Sequence, residues 1–146
     1  MENYSKSTDR KGASAVFSFK NPSIYTLGGY SNRHFLNSTE KLDIFRCVKW
    51  ESMNVLNIFS PRSCMHAIQI NSDSAVVFGH HNGSREYFVI SINDNIECKQ
   101  IGNMPMGAAF YYCAAPVRNG NKVYGSDSNK RIHIYSIDAN KWDLIE

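Results

Sequence analysis

Residues 25–50 read YTLGGYSNRHFLNSTEKLDIFRCVKW, and this stretch decides the fold. Tyr25, Thr26 and Leu27 favour a strand. Gly28-Gly29 ends it, because glycine reaches positive φ without a Cβ clash. A second strand-like run follows over residues 38–45, and Trp50 closes the unit.

Working outward, an apolar residue followed by glycine recurs as Leu27-Gly28, Phe78-Gly79 and Tyr124-Gly125, with the glycines 51 and 46 residues apart. Trp142 closes the last copy, and Cys98 or a neighbour stands in the tryptophan's place in the middle one. The copies span residues 12–53, 61–101 and 105–145, after a polar tail over 1–11. A fixed period of this length signals a repeat architecture.

Each copy predicts four short strands. They fall at 13–19, 23–28, 38–45 and 48–53; at 64–70, 74–79, 86–92 and 96–101; and at 109–116, 121–125, 131–137 and 141–145. Between them sit turn formers such as Asn71-Ser72-Asp73, Asn93-Asp94-Asn95 and Asn119-Gly120-Asn121. The run Ala75-Val76-Val77-Phe78 does not alternate, which suits a strand covered on both faces.

Four strands per unit at this spacing is the pattern of a propeller blade. The residues 25–30 (YTLGGY), 40–44 (EKLDI), Trp50 and Pro61-Arg62 resemble the kelch repeat. The second copy keeps Gly79 but has His80 for the second glycine; the third keeps Gly125 and Trp142 but has Ser126. The resemblance implies an all-β, kelch-type β-propeller of three four-stranded blades, partial or completed by oligomerisation. It also implies structural roles for Gly28, Gly29, Gly79, Gly125, Trp50 and Trp142, the tryptophans filling wedges between sheets. Closed propellers have about four to eight blades, so the two end sheets should expose apolar faces. Three readings satisfy this: a piece of a longer propeller, a homodimer completing a ring, or docking on another chain or survival as an open, marginally stable array.

Composition excludes other classes. Ile and Val number 21 against 14 Leu and Ala, which favours strands over helices. The longest uncharged apolar stretch, residues 107–117, is too short to span a bilayer. The N-terminus has no hydrophobic signal-peptide core, so a cytoplasmic protein with free thiols at Cys47, Cys64, Cys98 and Cys113 is expected. A net charge of +3 is too weak for a dedicated nucleic-acid domain.

Catalytic motifs are missing: there is no GxSxG, HExxH or P-loop, and only His80-His81 are close in sequence, pointing apart as strand neighbours. Tyr111-Tyr112-Cys113 carries the residue types of kelch-type copper oxidases, without matching histidines. A site at the propeller axis would draw on Ser14, Ser18, His66, Gln69, Tyr111 and Tyr112, a set poor in acids and bases. No enzyme activity, metal or cofactor is therefore expected.

The connections between second and third strands offer Tyr30, Asn32, Arg33 and His34; His80, His81, Asn82 and Arg85; and Asn129, Lys130 and Arg131. Their basic excess predicts a binding face for a protein partner with an acidic surface, since arginine holds carboxylates bidentately. The expected function is a protein–protein interaction module, scaffolding or recruiting a substrate. The alternatives are a fragment or part of a longer kelch protein with no function of its own, and a propeller enzyme or small-molecule binder.

Overall fold

The computed structural model describes residues 8–46, 49–53, 60–79, 84–93, 96–105, 113–116, 121–127 and 129–145. They form three antiparallel four-stranded sheets, with no helix among them. Sheet one holds β1 (Ser14–Ser18), β2 (Ser23–Ser31), β3 (His34–Asp43) and β4 (Trp50–Met53) in that order. Sheet two holds β5 (His66–Asn71), β6 (Ser74–Phe78), β7 (Glu86–Ile92) and β8 (Ile96–Asn103). Sheet three holds β9 (Cys113–Pro116), β10 (Lys122–Ser126), β11 (Ile132–Ser136) and β12 (Lys141–Ile145). No helix of the described residues is long and apolar enough to cross a membrane.

The sheets repeat one another residue by residue. Ile24 pairs with Leu42 and Leu42 with Trp50; Ala75 pairs with Ile90 and Ile90 with Cys98; Val123 pairs with Tyr135 and Tyr135 with Trp142. Cys98 thus stands in the tryptophan's place. One hydrogen bond recurs at the same point of every sheet. The N–H of Ile44 donates to the carbonyl of Pro22 (3.0 Å), that of Ile92 to Asp73 (2.6 Å) and that of Ile137 to Asn121 (2.7 Å).

Successive sheets stack face to face. Val16, Tyr25 and Leu27 of sheet one pack on Ala75, Val77, Phe88, Ile90 and Ile92 of sheet two. The opposite face of sheet two, with Val76, Phe78 and Tyr87, packs on Val123, Tyr135 and Trp142 of sheet three. The unbroken apolar run of β6 is therefore covered on both sides. First strands are neighbours: β1 lies against β5, and β5 against β9. The Gln69 amide ties the first two, accepting from the Phe17 N–H (3.1 Å) and donating to the Phe17 carbonyl (2.7 Å).

Gly28 and Gly29 form a bulge between β2 and β3, at φ 56° and 108°. The Gly29 N–H donates to the carbonyl of Arg62 (2.8 Å), in the segment crossing from sheet one to sheet two. A Cβ on Gly28 would lie 2.5 Å from Met65 Cε and 2.8 Å from the Arg62 carbonyl oxygen. The double glycine thus serves close approach between sheets as well as backbone freedom.

Four expectations change. β2 runs on through the Gly28-Gly29 bulge to Ser31 instead of ending there, and β3 begins at His34, not at residue 38, because Asn32 and Arg33 make a two-residue turn that leaves Tyr30 and His34 inside strands. Gly79 follows β6 at φ 88°, but Gly125 lies within β10, opposite Ala114 and His133. By register, the residue matching Gly28 and Gly79 is Asp127, so Gly125 is not the counterpart of those glycines. Trp142 is 3% exposed, whereas Trp50 is half-buried on the face of sheet one away from sheet two, where no other sheet of the described residues covers it. Finally, residues 8–11 of the polar tail dock on sheet one, with backbone hydrogen bonds joining Lys11 and Tyr30 in both directions (2.9 and 2.8 Å). Tyr111, Tyr112, Cys47 and the Asn119-Gly120 turn lie outside the described residues.

Candidate functional site

The turn between β2 and β3 puts Asn32 at φ 47° and Arg33 at φ 66°, as a two-residue hairpin with right-handed strand twist requires. Both side chains are thereby held outward and exposed. Beside them the docked segment of residues 9–11 runs past the end of β2. Between segment and turn lies a cleft of about 520 Å³ lined by Asp9, Arg10, Lys11, Tyr30, Ser31, Asn32 and Arg33. Tyr30 stacks at a tilt on Phe35 across the hairpin, with ring centroids 5.1 Å apart.

Arg10 forms the floor support of this cleft. Its guanidinium bonds the carbonyls of Gly28 (2.8 Å) and Ser38 (3.1 Å) and pairs with Glu40 at 3.1 Å, both side chains nearly buried. Glu40 also accepts from the backbone N–H and hydroxyl of Thr8 (3.0 and 2.9 Å). With Arg10 neutralised by Glu40, the outward charges of the cleft are Lys11 and Arg33 against Asp9. An isolated exposed ion pair adds little, but two cations converging on one cleft favour an anionic group there.

Arg62 holds the matching place in sheet two, 52 residues on, the same interval that separates Phe17 from Gln69. It is 1% exposed, pairs with Glu86 at 2.8 Å and lies 4.7 Å over the Phe88 ring. Ser38 and Glu40 receive Arg10; their register equivalents Glu86 and Phe88 receive Arg62. The recurring arginine was the signal that residues 9–11 belong to the first repeat, and a reading anchored on glycine and tryptophan passed over it.

The third connection is used internally. The Asp127 carboxylate accepts from the N–H groups of Asn129 (2.8 Å) and Arg131 (3.1 Å) and pairs with the Arg131 guanidinium at 2.6 Å. His133 Nε2, fully buried, lies 3.1 Å from it. Burial opposes ionisation of Asp127, but bonds from Arg131, His133 and Asn129 outweigh it and hold the carboxyl well below the usual range. Arg131 is thus committed to its own loop, while Asn129 and Lys130 remain exposed. Arg85, also exposed, donates from Nε to the Met104 carbonyl (2.7 Å). None of these four lines the cleft. His34 is exposed just beyond the turn, and His80, His81 and Asn82 lie outside the described residues.

Of the residues named for an axial site, Ser14, Ser18, His66 and Gln69 are engaged in hydrogen bonds or ring contacts. Ser14 donates to the Met65 carbonyl, Ser18 accepts from the Asn21 N–H (3.3 Å), and Gln69 bonds the Phe17 backbone. His66 stacks on Phe78, and burial lowers its pKa. Among the described residues no group of three His, Cys, Asp or Glu converges to hold a metal. Cys64 and Cys98 are free thiols; burial pushes Cys98 up to about 12, against the opposing charge of Arg62, so it stays protonated at neutral pH.

The chain matches no protein-family model and no curated protein.

Proposed function

We propose that the three sheets are blades of a kelch-type β-propeller and that the chain is a protein–protein interaction module of the cytoplasm, not an enzyme. Its partner presents an acidic segment to the cleft beside the β2–β3 turn. The neighbouring first strands β1, β5 and β9, the positive-φ glycines after or within second strands, and Trp142 between two sheets support the blade reading. The observation that carries the binding reading is the cleft itself, about 520 Å³ in volume and lined by Lys11 and Arg33 against the single acid Asp9. Tyr30 and Phe35 add an aromatic shelf at its edge, a surface type enriched where proteins meet.

The test is fluorescence anisotropy of a labelled glutamate-rich peptide titrated with the protein at low and moderate salt. Binding should weaken with salt, and the double variant Lys11→Glu, Arg33→Glu should lose on the order of tenfold in affinity or more, about 1.4 kcal/mol. Lys130→Glu, outside the cleft, should change it little. Equal affinity for the double variant and the parent, or no binding by the parent, would sink the reading.

A further inference from the structure

Each sheet turns the same register face to the sheet before it. Ala75, Ile90 and Ile92 of sheet two face sheet one, and their equivalents Val123, Tyr135 and Ile137 of sheet three face sheet two. First strands also lie side by side. Same face and same edge leave one orientation, so all three sheets point the same way. The connections β2–β3, β6–β7 and β10–β11 therefore share one end of the molecule, and the remaining turns within sheets share the other.

The two ends differ in charge. Among the described residues, the end with the β2–β3 turn exposes Lys11 and Arg33 from sheet one, Arg85 from sheet two and Lys130 from sheet three, against Asp9. Glu40, Glu86 and Asp127, the other acids described there, are paired with Arg10, Arg62 and Arg131. The opposite end mixes Lys20 and Arg46 with Asp43, Asp73 and Asp138. Two tips at the cationic end also repeat in detail. Residues 31–33 read Ser-Asn-Arg and residues 128–130 read Ser-Asn-Lys. Arg33 and Lys130 stand exposed at φ 66° and 62°. A left-handed position at a hairpin tip ordinarily takes glycine or asparagine, so a long cation held there twice points to use of the charge.

We infer that one acidic polypeptide segment lies across this end, from the cleft of sheet one past Arg85 to the Lys130 turn, its carboxylates meeting a cation of each sheet. Charge complementarity carries this assignment, because cations from three sheets line one end while its acids, Asp9 apart, are already paired. A nucleic-acid strand would call for aromatic platforms along its path, and Tyr30 and Phe35 are confined to sheet one. The inference rests on the reading of the cleft above and extends the surface that the same partner covers.

Fluorescence anisotropy with two labelled peptides tests it. One carries a single glutamate triplet, which the cleft alone can hold. The other carries two triplets joined by a glycine-serine spacer. Stacked sheets lie about 10 Å apart and an extended residue spans about 3.3 Å, so a spacer of about six residues bridges sheet one to sheet three. The two-triplet peptide should bind on the order of tenfold more tightly, because its second contact is intramolecular. Lys130→Glu should remove most of that gain and leave the single triplet unchanged. Lys130→Gly, which suits the left-handed backbone and so keeps the turn, should act in the same direction. Lys20→Glu, the same change of charge at the opposite end, should leave both affinities as they are. A second triplet that adds nothing overturns the inference. So does a gain that survives both Lys130 variants, or one lost equally in Lys20→Glu. An oligothymidylate that displaces the two-triplet peptide at a lower concentration than the unlabelled peptide does overturns a polypeptide as the occupant. If the single triplet does not bind the parent, the reading of the cleft falls and takes this inference with it. If it binds and only the gain is missing, this inference falls alone.

Discussion

Arg33 occupies a backbone position that arginine does not favour. Its φ of 66° follows from the two-residue turn, where Asn32 tolerates the left-handed region through its short polar side chain, whereas the Cβ of arginine crowds the backbone carbonyl without that compensation. The strain places a cation at the lip of the cleft, and such outliers persist where function holds them. Arg33→Gly should therefore raise stability by about 1 kcal/mol, read as a higher urea midpoint, while weakening the glutamate-rich peptide. A midpoint that stays put or falls would show that the arginine is not strained there. The sequence made Arg33 legible as an exposed basic residue between two strands. Its turn type was not legible, because Asn-Arg lacks the glycine that announces such hairpins. Arg10 was hidden for a different reason: a charged residue in a polar stretch reads as solvated until a buried glutamate appears opposite it.

At the scale of elements, the two tryptophans part company. Trp142 on β12 is wedged among Phe78, Tyr87 and Tyr135, with ring centroids 4.9, 6.5 and 5.4 Å away. Trp50 on β4 holds the same register place, but among the described residues it belongs to neither core between sheets. Trp142→Ala should cost about 3–5 kcal/mol, and Trp50→Ala only about 1 kcal/mol. Denaturant melts of both variants measure the difference; equal costs would mean that Trp50 is as enclosed as its counterpart. Strand existence and order were readable from alternation and turn residues. Gly125 misled because apolar-glycine pairs were aligned by identity, while the pleat aligns by face: a shift of two residues keeps the face and moves the strand end to Asp127.

For the whole molecule, sheet two belongs to both cores, so the three sheets should unfold together. Val77 faces sheet one, whereas Val76 one residue away faces sheet three. Val77→Ala should lower the denaturant midpoint seen by Trp142 fluorescence as much as that seen by circular dichroism, although Trp142 lies in the other core. Separate transitions for the two signals would show that the sheets fold as independent units.

What the sequence determined by itself was local: an all-β chain, its repeat, and the both-sides burial of β6, because strand propensity, turn chemistry and the absence of alternation act over a few residues. Tertiary structure alone decided which basic residues remain free. Arg10 is tied to Glu40 and Arg62 to Glu86, residues far apart in the chain that folding brings together, and Arg131 to Asp127 by the shape of its own loop. It likewise decided that residues 9–11 meet the β2–β3 turn to make a cleft, since that contact joins segments about 20 residues apart through a single backbone pairing of Lys11 with Tyr30.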